Sequence, residues 1–361
     1  KEKTSVLERV EEAVSKAHAF QGDLNAMVSF IDPSEQIDNL KNIDPHAPFY
    51  GVPVVLKDLV NMKGSLTTGS SGILENYVSP YDATITEKLK ASGAIIIGKS
   101  SCDTFGMGGT NMTAWTGPVM NPYDLNRMSG GSSGGSAVLV ASGVVPMAIG
   151  TDTGDSIRKP ASFNNIVGLK PTYGRISRYG VIPYASSLDH VGVFTRNVMD
   201  AALSLEVLAG RDDKDMTSSH LPVEAYAQLL NSDVNGKKIG VLQNVVDAIQ
   251  KPETLKIFKE LCDQLASKGA IIKSIRLNEK LMHAFLPTYY IIANAEATAN
   301  HSNLDGLRFG VLREGNSMEE SMINSRTAGF GKLLKKRFVI GSYALFTENQ
   351  EEVFRKAQKV R

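Results

Sequence analysis

Apolar residues change their spacing along this chain, and the changes mark out its elements. Val6, Val10, Val14 and Ala17 recur three or four positions apart, with Glu8, Glu11, Glu12 and Lys16 on the other faces. That period predicts an amphipathic helix over residues 4–20. A polar stretch with Pro33, Asp44, Pro45 and Pro48 follows, and it is read as closing a helical preface, residues 1–48. From there short apolar runs alternate with glycine-rich loops. Gly51 to Leu56 predicts a strand running into Lys57, Thr84 to Ser92 a helix, and Ala94 to Ile97 a buried strand closed by Gly98. Residues 129–136 read Ser-Gly-Gly-Ser-Ser-Gly-Gly-Ser and lead into an apolar helix from Ala137 to about Ser142. Pro122 to Met128, just before them, reads as no strand. Val144 to Ile149 is a further strand, opening onto Gly150-Thr-Asp-Thr-Gly-Asp-Ser156. Lys238 to Leu242, a helix near 252–268 and Ala270 to Ile275 form a later β-α-β unit. Strands alternating with helices predict an α/β layered fold.

The 361 residues suit one large α/β domain or two modest ones. Lys plus Arg (39) nearly equals Asp plus Glu (38), and no basic stripe stands out. A surface that grips nucleic acid by itself would carry a basic excess, so any nucleic acid is expected to be held mainly by a partner. Cys102 and Cys262 lie far apart and in no metal-ligand spacing, and both are read as buried free thiols. No apolar run reaches the length of about 18 residues that suggests a membrane helix, and Lys1 to Ala19 has no signal-peptide layout. A cytoplasmic location is the expectation.

The Gly-Ser loop at 129–136 admits several readings alone. It is too closely followed by an apolar helix for a flexible linker, and it lacks the lysine of a phosphate-binding loop. Gly131-Ser-Ser133-Gly-Gly135 fits the G-x-S-x-G nucleophile elbow, which requires a sheet strand just before it and a later Asp and His. A plain turn before a helix is the remaining alternative.

Taken with its neighbours the loop says more. Gly-Val-Pro-Val-Val-Leu-Lys57-Asp, Gly-Gly-Ser132-Ser-Gly-Gly-Ser and Asp-Thr-Gly-Asp-Ser156-Ile-Arg follow one another in order, with 75 and then 24 residues between the named positions. The chain resembles the amidase signature family through these three motifs, from about Phe49 to Arg196 and more loosely beyond. Gly168 to Gly180, Ala185 to Asp189, Asp305 to Gly310, Ser325-Arg326 with Gly329 to Gly331, and Lys356 to Arg361 resemble one branch of it, the glutaminase subunits of tRNA-dependent amidotransferases.

The resemblance implies a mixed central sheet covered by helices on both faces, filling residues 49–361. Family members continue past Arg361, so this domain is read as C-terminally incomplete. It also implies Ser156 as nucleophile, Ser132 as a bridging hydroxyl preceded by a cis peptide bond, and Lys57 as the base behind it. Lys57 must then shed its proton well below the ordinary lysine pKa of about 10.4, and burial beside Val54, Val55 and Leu56 would favour that. The competing reading is a surface Lys57 paired with Asp58. Backbone N–H groups of Thr153, Gly154, Asp155 and Ser156 would hold the oxyanion. Asp155 stands where the family usually has glycine, and its carboxylate is expected to point away; Ser129 stands where proline is commoner. Arg337 matches the family's carboxylate-binding arginine and Tyr289 the tyrosine of its glutamine pocket. Their plain alternatives are a solvated basic run and core packing. His190 beside Asp189 is read as a structural hydrogen-bonding residue rather than a triad member.

The implied activity is hydrolysis of glutamine to supply ammonia for converting Glu-tRNA(Gln) to Gln-tRNA(Gln). The implied partners are subunits B and C: ATP and Mg2+ act in B, and the small C subunit clasps the pair. No cofactor or metal is expected in this chain. The alternatives are a stand-alone amidase on a small amide and a non-hydrolytic scaffold subunit.

Overall fold

The computed structural model describes residues 5–230 and 233–361, so Thr4, the expected first residue of the first helix, lies outside the described residues. The helix α1 (Val6–Leu24) starts at Ser5. The Ser5 hydroxyl accepts from the Glu8 N–H at 3.1 Å, and the Glu8 carboxylate accepts from the Ser5 N–H at 2.7 Å, a reciprocal cap. Val10, Ala13 and Ala17 are its buried stripe. The next residues hold β1 (Met27–Phe30) and α2 (Ser34–Asn39), so the helical preface also contains a strand, and that strand joins the main sheet.

The body of the chain supplies β2 (Pro53–Lys57), α3 (Thr84–Ala91), β3 (Ile95–Ser100), β4 (Met120–Asn121), β5 (Asp124–Met128), α4 (Gly134–Ala141), β6 (Met147–Asp152), α5 (Arg158–Phe163), β7 (Val167–Leu169), β8 (His190–Thr195) and α6 (Val198–Leu208). Six strands form one mixed sheet in the order β1-β3-β2-β6-β8-β7. Strands β3, β2 and β6 run parallel in the middle, and antiparallel pairs close both sides. Alternate residues of β2 face opposite ways. Val55 belongs to a core with α1 and α4, whereas Val54 and Leu56 belong to a second core with α3 and α6. The sheet is thus apolar on both faces, which explains the unbroken apolar runs of its strands.

Three local expectations change. Gly98 does not close its strand: β3 continues to Ser100, and a Cβ at Gly98 would come within 2.4 Å of the Ser29 carbonyl on β1. The glycine is there because β1 crosses at close range. Residues 124–128 are a strand after all. They pair with β4 as a hairpin outside the main sheet, so no sheet strand leads into the Gly-Ser loop and the nucleophile-elbow reading falls. Strand β6 runs from Met147 to Asp152 rather than from Val144 to Ile149, which places Thr151 and Asp152 inside it.

The remainder adds β9 (Lys238–Leu242), α7 (Gln243–Asp247), α8 (Pro252–Ser267), β10 (Ile271–Ile275), α9 (Glu279–Asn300), α10 (Met318–Gly329), α11 (Lys332–Leu345) and α12 (Lys356–Val360). The first four make the expected β-α-β unit, with β9 and β10 parallel in a separate two-stranded sheet. Ala293 and Ala297 of α9 and Leu334 and Phe338 of α11 pack with Leu59, Phe105 and Tyr184 in a third core. That core brings α9 and α11 beside the C-terminal end of β2. No helix among the described residues is long and apolar enough to cross a membrane.

Candidate active site

Lys57 is the last residue of β2 and is wholly shut off from solvent. Its Nζ lies 2.7 Å from Ser132 Oγ, 2.9 Å from Ser133 Oγ and 2.8 Å from Thr151 Oγ1. Burial holds its pKa below the ordinary lysine value, against the opposing pull of Cys102, Asp103, Asp152 and Asp189. The surface pairing with Asp58 does not occur. Asp58 is itself buried, and its carboxylate accepts from the Thr68 N–H at 3.0 Å and the Ser70 N–H at 2.7 Å. Burial raises the Asp58 pKa, and the charge of the buried Lys99 opposes that.

The Gly-Ser loop is neither linker nor simple turn. The Gly131–Ser132 peptide bond is cis. The Ser132 carbonyl accepts from the Asp103 N–H at 3.0 Å, and the Gly134 N–H donates to Asn111 Oδ1 at 2.8 Å. A Cβ at Gly131 would meet Asp103 Oδ2 at 2.2 Å, and one at Gly135 would meet the Ala26 carbonyl at 2.5 Å. Crowding around the backbone therefore dictates these glycines. The Asp103 carboxylate fixes the adjoining segment that supplies Asn111, accepting from the N–H groups of Thr110 at 3.1 Å and Asn111 at 2.9 Å. Ser129 is buried, and its carbonyl accepts from Asn164 Nδ2 at 2.7 Å.

Ser156 is 4% exposed and sits between β6 and α5. Its carbonyl accepts from the Ser133 N–H at 3.3 Å, which joins the two serine loops. The Asp152 carboxylate braces this turn from below, accepting from the Ile157 N–H at 2.9 Å and pairing with Arg158 at 3.0 Å. The N–H groups of Gly154, Asp155 and Ser156 donate to no acceptor among the described residues. They are three free donors beside a serine. The Asp155 carboxylate pairs with Lys159 Nζ at 2.6 Å, one helical turn on. The anion expected to point away thus has a cation of its own.

Tyr289 and Arg337 converge on Tyr184. Arg337 Nη1 donates to Tyr184 Oη at 2.7 Å, and its guanidinium lies 5.2 Å from the centroid of the Tyr290 ring. Tyr289 packs against the core that contains Tyr184, and a Cβ on Gly154 would reach its hydroxyl at 2.9 Å. Burial pushes the Tyr289 phenol pKa up. Arg337 is therefore no free member of a solvated run, and Tyr289 overhangs the loop of Ser156. The His190 Nδ1 faces the carbonyls of Leu188 at 2.6 Å and Asp152 at 3.2 Å, a bracing role on backbone.

Thr151, Asp103 and Asn111 were not singled out from the sequence, and Ser133 was weighed only as the serine of a nucleophile elbow. Only Ser133 had a signal, its place inside the Gly-Ser run; the others are ordinary polar residues until the fold assembles them.

A parallel-centred sheet that ends in a buried lysine, held among serine and threonine hydroxyls with no histidine between them, has the layout of the amidase-signature class. The chain belongs to the amidase family, whose model matches residues 8–361. It is 43% identical over 353 residues to the A subunit of the Koribacter versatilis glutamyl-tRNA(Gln) amidotransferase, covering 96% of this chain and 73% of that one. The crystal structure of the corresponding A subunit from Thermotoga maritima superposes with a TM-score of 0.77 at 34% identity, covering 99% of this chain and 72% of that one. A crystal structure described as an amidase gives a TM-score of 0.79 at 30% identity, covering 99% of this chain and 74% of that one.

Proposed function

We propose that this chain hydrolyses the side-chain carboxamide of glutamine and serves as the ammonia-producing subunit of a tRNA-dependent amidotransferase. The observation that carries the chemistry is the hydrogen-bonding of Lys57. Ser133 Oγ donates to the Thr151 carbonyl at 3.1 Å, so towards Lys57 it acts as acceptor. A neutral amine has two N–H donors and one lone pair. With the donors spent on Ser133 and Thr151, the lone pair is left for the Ser132 hydroxyl.

The steps then balance. Ser156 Oγ attacks the carboxamide carbon; its proton passes to Ser132 Oγ, whose own proton passes to Lys57 Nζ. The developing oxyanion takes hydrogen bonds from the free N–H groups of the 154–156 turn, with the N–H of Thr153 completing the loop. The C–N bond breaks as the proton returns through Ser132 to the leaving nitrogen, and ammonia departs. Water, activated by the same relay, cleaves the glutamyl ester and frees glutamate. The Arg337 guanidinium would hold the α-carboxylate of glutamine and Tyr289 would line its side chain. Relatives named as A subunits of glutamyl-tRNA(Gln) amidotransferase support the wider role. In that role ammonia would pass to a B subunit that would use ATP and Mg2+ on glutamate carried by tRNA(Gln), a C subunit would clasp the two, and the work would be done in the cytoplasm.

The Asp155–Lys159 pair weighs against the scaffold reading, because it removes the anionic hindrance that reading leans on. The test is glutamate release from glutamine by the chain alone and with B and C subunits. Release that needs the partners and disappears in Ser156→Ala supports the proposal. Release from the isolated chain, with other amides accepted, would replace it by a stand-alone amidase.

A further inference from the structure

We propose that Asp189 is a positioning residue for this reaction, clamping the loop that carries Ser156 to the segment that carries Tyr184. The proposal rests on the reading of Ser156 as nucleophile and adds a residue which that reading leaves out.

Asp189 immediately precedes β8 and is buried. Three donors converge on its carboxylate. The Thr153 hydroxyl donates to Oδ1 at 2.6 Å, the Ala185 N–H to Oδ1 at 3.1 Å, and the Tyr184 N–H to Oδ2 at 2.8 Å. The last two belong to the turn that Asp189 itself closes, because its own N–H donates to the Ala185 carbonyl at 2.9 Å. A turn needs no more than that. The Thr153 bond is different: it spans 36 residues and lands on the first residue of the oxyanion loop. On the other side, Tyr184 carries the phenol that receives Arg337, and Tyr289 packs against the same core. One carboxylate thus fixes the spacing between the nucleophile turn and the wall that would hold the substrate.

Only an ionised carboxylate accepts all three bonds without offering a hydrogen in return. Burial raises the Asp189 pKa to about 6, against the hydrogen bonds from Thr153, Ala185 and Tyr184 and the charge of Arg178. The titratable groups around it are Arg178 of the preceding loop, Lys57 of β2, Asp152 of β6 and the adjoining His190, whose pKa burial lowers. The Arg178 charge favours the carboxylate, while Lys57, the neutral base of the proposed relay, adds no positive charge. The clamp is closed above about pH 6 and slackens below it.

The experiment uses the whole chain, with the B and C subunits present, and two readouts of Ser156. One is glutamine hydrolysis, resolved into kcat and KM. The other is sulfonylation by phenylmethylsulfonyl fluoride, in which Ser156 Oγ bonds to sulfur and fluoride leaves, followed by intact mass. Thr153→Val deletes one bond, Asp189→Asn turns an N–H towards donors, and Thr153→Ser restores the hydroxyl. Thr153→Val and Asp189→Asn should each slow both readouts roughly 10- to 100-fold, the cost of a misplaced reacting group, with KM little changed. The double variant should be no slower than the worse single one, and Thr153→Ser should recover most of the rate. The acid limb of sulfonylation should move to higher pH in Thr153→Val, because the lost bond favoured the carboxylate. Wild-type rates in a folded Thr153→Val, or losses that multiply in the double variant, would overturn the proposal and leave Asp189 as a turn cap. If the wild type is sulfonylated at Ser156 yet releases no glutamate, the glutamine reading fails while the sulfonylation rates still decide this one. A wild type not sulfonylated at Ser156 overturns both.

Discussion

Lys57 Nζ and Ser132 Oγ lie 2.7 Å apart, both within the protein and away from water. Because burial lowers the Lys57 pKa, the amine is neutral over a pH range in which an exposed lysine is charged. Activity should fall as pH drops through the lowered Lys57 value and hold above it. Lys57→Ala should cost about 10²- to 10⁴-fold in kcat, the usual contribution of a positioned proton acceptor. Ser133→Ala should cost less, since it removes a hydrogen-bond partner of the base and not the base. Steady-state glutaminase kinetics on the two variants order these effects.

The ion pair of Asp155 with Lys159 predicts a second-site effect. Both side chains are partly exposed, at 46% and 33%, so the pair itself is weak and salt-sensitive. Its value lies in where it keeps the negative charge. Lys159→Met should lower kcat by roughly 3- to 10-fold through an unpaired anion near the oxyanion donors. Adding Asp155→Gly to Lys159→Met should restore the rate. Equal rates in the wild type and Lys159→Met would remove this role.

Gly154 and Tyr289 make a steric prediction. A methyl at residue 154 would stand 2.9 Å from the Tyr289 hydroxyl and 3.0 Å from its Cζ. Gly154→Ala should therefore displace the tyrosine and raise KM for glutamine. Tyr289→Phe removes the nearer atom and should relieve part of the penalty when combined with it. The two KM effects would be less than multiplicative, which a double-mutant cycle measures.

The fold was legible where burial is symmetrical. Val54, Val55 and Leu56 announce a strand apolar on both faces, and its end locates Lys57. Ser132 and Ser156 came from motifs whose glycines record backbone crowding, as the 2.2 Å clearance at Gly131 makes plain. What stayed hidden depends on contacts between distant residues. Thr151 meets Lys57 across 94 positions, and Asp103, an ordinary acid in the sequence, proves to brace the Ser132 loop. Strand β5 was missed because Asp-Leu-Asn-Arg-Met lacks β-branched and aromatic residues, and a local hairpin forms it regardless.

The two cysteines should differ in reactivity. Both are free; Cys102 is buried and Cys262 is half-buried on α8, which corrects the expectation that both are enclosed. Burial pushes the Cys102 thiol up to about 12, so it offers almost no thiolate near neutral pH. A disulfide reagent should titrate one thiol rapidly in the folded chain and the second only after denaturation. Two rapid equivalents would show that the core around Cys102 opens readily.

His301 makes the sharpest prediction about acid stability. It is 1% exposed, and its ring centroid lies 4.6 Å from that of Phe105 and 6.0 Å from that of Phe338. Burial lowers its pKa to about 3, with a hydrogen bond to the Pro183 backbone opposing that. Above pH 6.5 the imidazole is neutral in both folded and unfolded chains and contributes no pH dependence. Between pH 6.5 and about 3 the unfolded chain binds a proton that the folded chain refuses. Stability therefore falls with falling pH across that window, at up to about 1.4 kcal/mol per unit. Asp189, raised to about 6, acts in the opposite sense between its ordinary value and 6, because there the folded chain binds the extra proton. Wild-type melting alone would mix the two. Comparing it with His301→Phe, whose ring suits the aromatic neighbours, isolates the histidine. The variant changes the packing of the site at every pH, so its level shifts, but its decline between pH 6.5 and about 4 should be shallower. Parallel declines would mean that His301 takes up its proton without unfolding.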